Sequence, residues 1–213
     1  MNGQTSEPAP RRIALALTGA SGAQYGLRLL EVLLRQEHRV QLMISKPAQV
    51  VIGTETDWAL PGRVADYVEY FSQRFGTDKG LLSAHGAEEW SASCASGSSP
   101  PDAMAVCPCS MATLSSIAAG SSRSLIERAA DVMLKEQRKL VLVPRETPFS
   151  AIHLENMLKL ARLGVVILPP APGFYGYPKG GPGSVDDMID FVVARVLDHL
   201  HVPHSLGPRW GKA

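Results

Sequence analysis

Short, almost uninterrupted apolar runs, each followed by a helical stretch, constrain this chain more than any other feature. Ile13-Ala14-Leu15-Ala16-Leu17 contains no polar residue, a continuity expected of a strand covered on both faces. Comparable runs recur at Val40 to Ile44, Ala103 to Cys107, Leu140 to Val143 and Val165 to Leu168. Between them, leucines at 27, 30 and 34 mark one face of a helix that follows Gly22. Ser124 to Arg138, Ser150 to Leu163 and Val185 to His199 also read as helices, the last capped by Ser184. Gly120 and Gly164 are placed to stop helices. Strand and helix in alternation predict an α/β fold, a single-domain doubly wound parallel sheet with helices on both faces.

The expected domain runs from residue 12 to 213, behind a disordered leader over residues 1–11 that is polar and carries two prolines. The weakest stretch is Pro47 to Pro101, which begins as a helix and turns polar, rich in Ser and Gly, around Ser91 to Ser99. A net charge of +1 provides no basic field for nucleic acid and no acidic tail. Affinity for a phosphate must therefore come from a local site. No run approaches the roughly 18 uncharged apolar residues of a membrane span, and the N-terminus lacks the apolar core of a signal peptide. The expected compartment is the cytoplasm. Cys94, Cys107 and Cys109 form no CxxC and no zinc spacing, so a buried, reduced role is expected.

In an open parallel sheet, ligands bind beyond the carboxyl ends of the strands, and four such ends carry suitable chemistry. Thr18-Gly19-Ala20-Ser21-Gly22 joins a strand to a helix start, where small residues and free N–H groups suit an anion. Its spacing matches neither GxGxxG nor GxxxxGK[ST]. The second strand ends in Ser45-Lys46, without the acid that a dinucleotide enzyme places against ribose. A mononucleotide remains, beside the alternative of a turn with no ligand. In Cys109-Ser110-Met111-Ala112-Thr113, the Ser110 and Thr113 hydroxyls either face one ligand or serve as a helix cap. Val143-Pro144-Arg145-Glu146-Thr147-Pro148 sets two charges after a buried strand, where they must pair with each other or work.

With these motifs in view, the sequence resembles the flavin prenyltransferase family (UbiX), formerly described as aromatic-acid or 3-polyprenyl-4-hydroxybenzoate decarboxylases. The likeness runs from about Arg12 to Trp210. It includes Thr18-Gly-Ala-Ser-Gly-Ala-Gln-Tyr-Gly26, Glu55-Thr-Asp57, Ala95-Ser-Gly-Ser98, Cys107-Pro-Cys-Ser110, Glu127-Arg-Ala-Ala-Asp-Val132, Leu142-Val-Pro-Arg-Glu-Thr-Pro148, His153-Leu-Glu-Asn-Met157 and Pro208-Arg-Trp210. The resemblance implies a flavodoxin-like or Rossmann-like fold, reduced FMN and dimethylallyl monophosphate as substrates, and no metal. It further implies a homododecamer with shared active sites, and a product, prenylated FMN, that serves a UbiD-type decarboxylase.

Carried over by position, the resemblance assigns Gly19, Ala20, Ser21, Ser45, Ser110, Met111, Ala112, Thr113 and Arg145 to FMN. It assigns Tyr175 and Arg195 to the dimethylallyl phosphate, with Lys135, Arg128, Trp90 and Trp210 nearby. Ser21, Glu55, Lys135 and Glu146 are the expected catalytic groups. One departure from the family is a longer loop, Gly176 to Gly183, which adds Lys179. Two rivals are FMN-dependent cysteine-type decarboxylases, which resemble the family but place an Asn in the segment matching Ala95 to Ser98, and a non-catalytic flavin carrier.

A last motif could mislead. Asp186-Asp187-Met188-Ile189-Asp190 matches the DDxxD pattern by which isoprenoid diphosphate enzymes hold magnesium. Its position at a helix start after Ser184 predicts a capping box and favourable charge against the helix dipole instead.

Overall fold

The computed structural model describes residues 9–175, 177, 183–207 and 209–211. Among the described residues there are six strands: β1 (Arg12–Leu17), β2 (Arg39–Ile44), β3 (Leu82–His85), β4 (Ala103–Cys109), β5 (Lys139–Pro144) and β6 (Val166–Ile167). Seven α-helices accompany them: α1 (Ala23–Arg35), α2 (Lys46–Glu55), α3 (Tyr67–Phe75), α4 (Met111–Ala118), α5 (Leu125–Lys135), α6 (Ala151–Arg162) and α7 (Val185–Leu200). The strands form one sheet in the order β3-β2-β1-β4-β5-β6, and every neighbouring pair is parallel. The expected doubly wound parallel sheet is thus the fold observed.

Alternation along β1 divides the core. Ile13, Leu15 and Leu17 face a layer that includes Leu27, Leu30 and Leu34 of α1 and Val193, Val196 and Leu197 of α7. Ala14 and Ala16 face the opposite layer, with Leu114 and Ile117 of α4, Ala129 and Met133 of α5 and Leu160 of α6. This is the period-two geometry of a strand covered on both sides. Each fully buried leucine contributes about 1.5–3 kcal/mol. α1 also approaches the sheet closely at Gly26, where an added Cβ would stand 2.2 Å from the Cys107 carbonyl oxygen and 2.7 Å from Leu17 Cγ.

Several boundaries differ from the sequence expectation. β4 continues through Pro108 to Cys109 and does not stop at Cys107. Pro108 has no N–H for a ladder, but its carbonyl accepts from Thr18 N–H at 3.1 Å and from the Thr18 hydroxyl at 2.9 Å. α5 ends at Lys135, short of Arg138, because Gln137 turns left-handed (φ 51°) and Arg138 N–H closes back to Met133 O at 2.8 Å. β3 and α3 had no counterpart in the sequence reading. Gly120 and Gly164 do follow their helices with φ of 70° and 85°.

Residues 1–8 of the expected leader lie outside the described residues. Arg11, at its end, donates its backbone N–H to His38 Nδ1 at 3.0 Å and its guanidinium to Leu200 O at 2.8 Å. The three cysteines are free and buried. Burial pushes Cys94 up to about 11 and raises Cys107 and Cys109 well above the ordinary thiol range, so all three stay protonated. Gly26→Ala should force α1 away from β4 and cost about 1–3 kcal/mol, measured as a lower denaturant midpoint with unchanged helix content.

Candidate functional site

The carboxyl ends of β1, β2, β3 and β4 meet around a cavity of about 460 Å³. That volume lies within the range of small-molecule sites. Of the residues expected to hold a mononucleotide, Gly19, Ser45, Ser110, Ala112 and Thr113 line it. Three helices begin at its wall, each with a serine cap: Ser45 accepts from Ala48 N–H in α2, Ser110 from Thr113 N–H in α4, and Ser124 from Glu127 N–H in α5. Converging helix N-termini present partial positive charge and N–H donors, which favour an anion. Ser110 is therefore the cap of α4 and also lines the cavity. The Ser110 and Thr113 hydroxyls are 3.1 Å apart.

Other expected residues lie outside this lining. Ala20 and Met111 are buried, with Met111 in the core layer beneath the cavity. Gly19 lines the cavity, but a Cβ there would meet Pro47 Cβ at 2.4 Å. Its small size therefore admits the start of α2 as well as any ligand.

Ser21, Glu55 and Arg145 form a second cluster beside the β1–α1 turn. Gly22, the N-cap of α1, is left-handed at φ 97° and supplies no side-chain cap. Glu55 reaches across from α2 and accepts Gly22 N–H at 2.8 Å and Ala23 N–H at 3.4 Å. Arg145 Nε donates to Ser21 O at 3.2 Å. Burial alone would raise the Glu55 carboxyl, but the Ser21 hydroxyl, the two N–H groups and the Arg145 charge outweigh it and hold it below the usual range. Glu146 turns away and accepts from Thr147 N–H at 3.1 Å. The charged pair after β5 is thus divided, and no Arg145–Glu146 ion pair occurs among the described residues.

Tyr175, Arg195 and Trp210 line a different cavity of about 490 Å³. Tyr175 meets Phe191 edge-on at 5.5 Å and Trp210 at 5.2 Å between ring centroids. Arg128, Lys135 and Trp90 do not join them within one chain. Arg128 and Lys135 belong to α5, on the face of the sheet opposite α7. Arg128 is held by Ala95 O at 3.0 Å and Asp131 at 2.8 Å. Lys135 pairs with Glu136, and Trp90 is exposed in the loop after β3. Of the longer loop, residues 176 and 178–182, including Lys179, lie outside the described residues.

The acidic motif is already engaged. Ser184 and Asp187 form a capping box, while Asp190 holds Arg28 of α1 through two contacts, 2.7 and 3.1 Å. Sequence reasoning missed Thr18 as a site organiser and missed His85, Gly86, Ala87, Ser124 and Glu127 as cavity walls. Thr18 and Ser124 carried a signal, a hydroxyl directly after a strand and one directly before a helix. The short edge strand that delivers His85 carried none.

The family described as Flavoprotein matches residues 2–197, which is the class that this sheet and its edge cavity define. Flavin prenyltransferase UbiX of Pseudomonas aeruginosa is 57% identical over 203 residues, covering 95% of both chains. A crystal structure of AnUbiX in complex with FMN and dimethylallyl pyrophosphate superposes with a TM-score of 0.83 at 41% identity, covering 96% of this chain and 100% of that one. A dodecameric FMN-dependent UbiX-like decarboxylase from Escherichia coli O157:H7 gives 0.79 at 42% identity, covering 95% and 100%. The chain belongs to the flavin prenyltransferase family.

Glu55→Gln should destabilise the protein by about 1–3 kcal/mol near neutrality, because a charged acceptor of two buried-edge donors is lost. A carboxyl held low in the folded state stabilises fully above its unfolded value. That contribution fades as pH falls through the folded value. Denaturant midpoints of wild type and variant should therefore differ at pH 7 and draw together as pH falls below the ordinary carboxylate range.

Proposed function

We propose that the protein joins the dimethylallyl group of dimethylallyl monophosphate to N5 and C6 of reduced FMN, giving prenylated FMN. The observation that carries this reading is the cavity ringed by the Ser45, Ser110 and Ser124 helix caps, in a chain of this family. Its polar wall suits the phosphate and ribityl end of a mononucleotide, while Met43, Ile44, Leu125 and Ile126 offer apolar surface to a flat ring. Gly19, Ala20, Ser21, Ser45, Ser110, Met111, Ala112, Thr113 and Arg145 would hold FMN. When bound, the reduced flavin supplies the nucleophilic ring positions.

This chain's residues then act on the phosphate ester. As the allylic C–O bond breaks, negative charge gathers on the phosphate, and preorganised cations lower the barrier by meeting it. Arg195, with a forked guanidinium, and Tyr175, with one hydroxyl donor, would take the phosphate oxygens. Trp210, with Trp90 from a neighbouring copy, would face the electron-poor allyl group, each good contact being worth roughly 0.5–2 kcal/mol. Glu55, already accepting two N–H groups, would hold Ser21 in place as an orienting donor. Glu146, outside any ion pair with Arg145, would serve as the proton relay.

Lys135 and Arg128 would reach the phosphate from a neighbouring copy. α6 supports such assembly, since Leu154 and Leu158, one turn apart, are exposed by 53 and 51%, and Ile152 and the C-cap Leu163, on the other flank, by 67 and 62%, apolar surface of the kind that mates with another chain. A homododecamer is proposed, with a UbiD-type decarboxylase receiving the product and the cytoplasm as compartment. Among the described residues, no helix is long and apolar enough to cross a membrane.

Anaerobic incubation with reduced FMN and dimethylallyl monophosphate should yield a flavin heavier by one five-carbon unit, read by mass spectrometry. Excess EDTA should leave the rate unchanged. Asp190→Asn should lower stability by releasing Arg28 yet retain turnover. Arg195→Gln should slow prenylation by orders of magnitude, and Tyr175→Phe by less. An unchanged flavin together with decarboxylation of a cysteine-ended peptide would favour the rival enzyme class, and magnesium-dependent turnover would overturn the metal-free mechanism.

A further inference from the structure

The cavity that holds Tyr175 and Arg195 has a second arginine, and one carboxylate serves both. Asp198, on α7 one turn beyond Arg195, accepts Arg195 Nη1 at 2.7 Å through Oδ2. Its other oxygen accepts Arg209 Nη2 at 2.9 Å and faces His204 Nε2 at 3.1 Å. The His204 side chain is only 2% exposed, and its Nδ1 accepts Leu206 N–H at 3.2 Å. With Nδ1 an acceptor, the ring proton sits on Nε2 and points to Asp198. Arg209 Nη2, although 3.1 Å from Nε2, therefore bonds the carboxylate rather than the ring. Burial would raise the Asp198 carboxyl, but Arg209 and His204 outweigh it and keep it ionised.

We infer that Arg209 is a second phosphate-binding residue of the dimethylallyl site, and that Asp198, buttressed by His204, is the positioning residue that sets Arg195 and Arg209 side by side. The inference rests on the prenyl-transfer reading. Each guanidinium has five N–H donors and gives one nitrogen to Asp198, so donors remain for phosphate oxygens in the same cavity. One carboxylate between two arginines leaves the cluster with a net positive charge, suited to a dianion. It also relieves the repulsion that two adjacent guanidiniums would otherwise suffer. The same contacts fold the segment after α7 back over the helix. That fold brings Trp210 against Tyr175, so allyl recognition and phosphate recognition depend on one carboxylate.

The test uses the FMN-loaded oligomer. Inorganic phosphate affinity by calorimetry and KM for dimethylallyl monophosphate are measured for wild type, Arg209→Gln, Arg209→Lys, Asp198→Asn and Asp198→Glu. Arg209→Gln should weaken phosphate binding and raise KM by about tenfold or more, with FMN affinity unchanged. Arg209→Lys should recover part of the loss, because it restores the charge without the fork. Asp198→Asn should raise KM similarly, and Asp198→Glu should rescue it in part. If Arg209→Gln does not assemble with FMN, Arg209→Lys carries the test, and wild-type phosphate affinity in it together with unchanged KM overturns the inference. Unaltered phosphate binding and KM in a well-assembled Arg209→Gln also overturn it. A wild-type protein that fails to prenylate FMN overturns the function reading instead, so the two failures are distinguishable.

Discussion

The Thr18 side chain fastens the two central strands where the site begins. It is 2% exposed, donates to Pro108 O and accepts Ser110 N–H at 2.7 Å. Buried polar groups are tolerated when satisfied on both sides, and here the satisfaction is structural information. It aligns the carboxyl ends of β1 and β4 and sets Ser110 at the head of α4. The neighbouring turn leaves α1 with a glycine cap, whose missing acceptor Glu55 supplies from α2. Two strands and three helices are thus bound to one corner by a hydroxyl and a carboxylate.

From that corner the functional geometry follows. Parallel strands share a carboxyl edge, so the helices that follow β2 and β4 begin there, as does α5, whose first N–H bonds Ala87 O at 2.7 Å. Their caps leave N–H groups and dipoles directed at one cavity. A chain with net charge of only +1 can in this way concentrate positive potential where an anion must sit. The second cavity lies on α7, across the sheet from α5. The Arg28–Asp190 pair ties α7 to α1, the helix that starts at the Thr18 corner. Because α5 and α7 lie on opposite faces, the proposed pairing of Lys135 with Arg195 at one phosphate would need two adjoining copies of the chain.

Much of this was legible in sequence, for physical reasons. Strands buried on both faces must be apolar throughout, so β1, β4 and β5 announced themselves. Serines before helices announced the caps, and Ser184 with Asp187 resolved the acidic motif as a capping box. β3 was illegible because an edge strand keeps one face half exposed, and Leu82-Ser83-Ala84-His85 lacks the continuous run. α3 escaped because its signal is an aromatic cluster. Phe71 and Phe75 pack on Trp58 at 5.8 and 5.5 Å across a sequence gap that no periodicity spans. The network around Asp198 was invisible because its members come together only when the chain folds back after α7.

The central claim is that helix N-termini at the sheet's carboxyl edge hold the phosphate of a flavin mononucleotide. Titrating apoprotein with FMN and, separately, with riboflavin tests it most directly, with flavin fluorescence as the readout. The two ligands share the ring and ribityl chain and differ only in the phosphate. Charge against several helix ends and hydroxyls should make FMN bind about a hundredfold more tightly. Equal affinities for FMN and riboflavin would contradict the account.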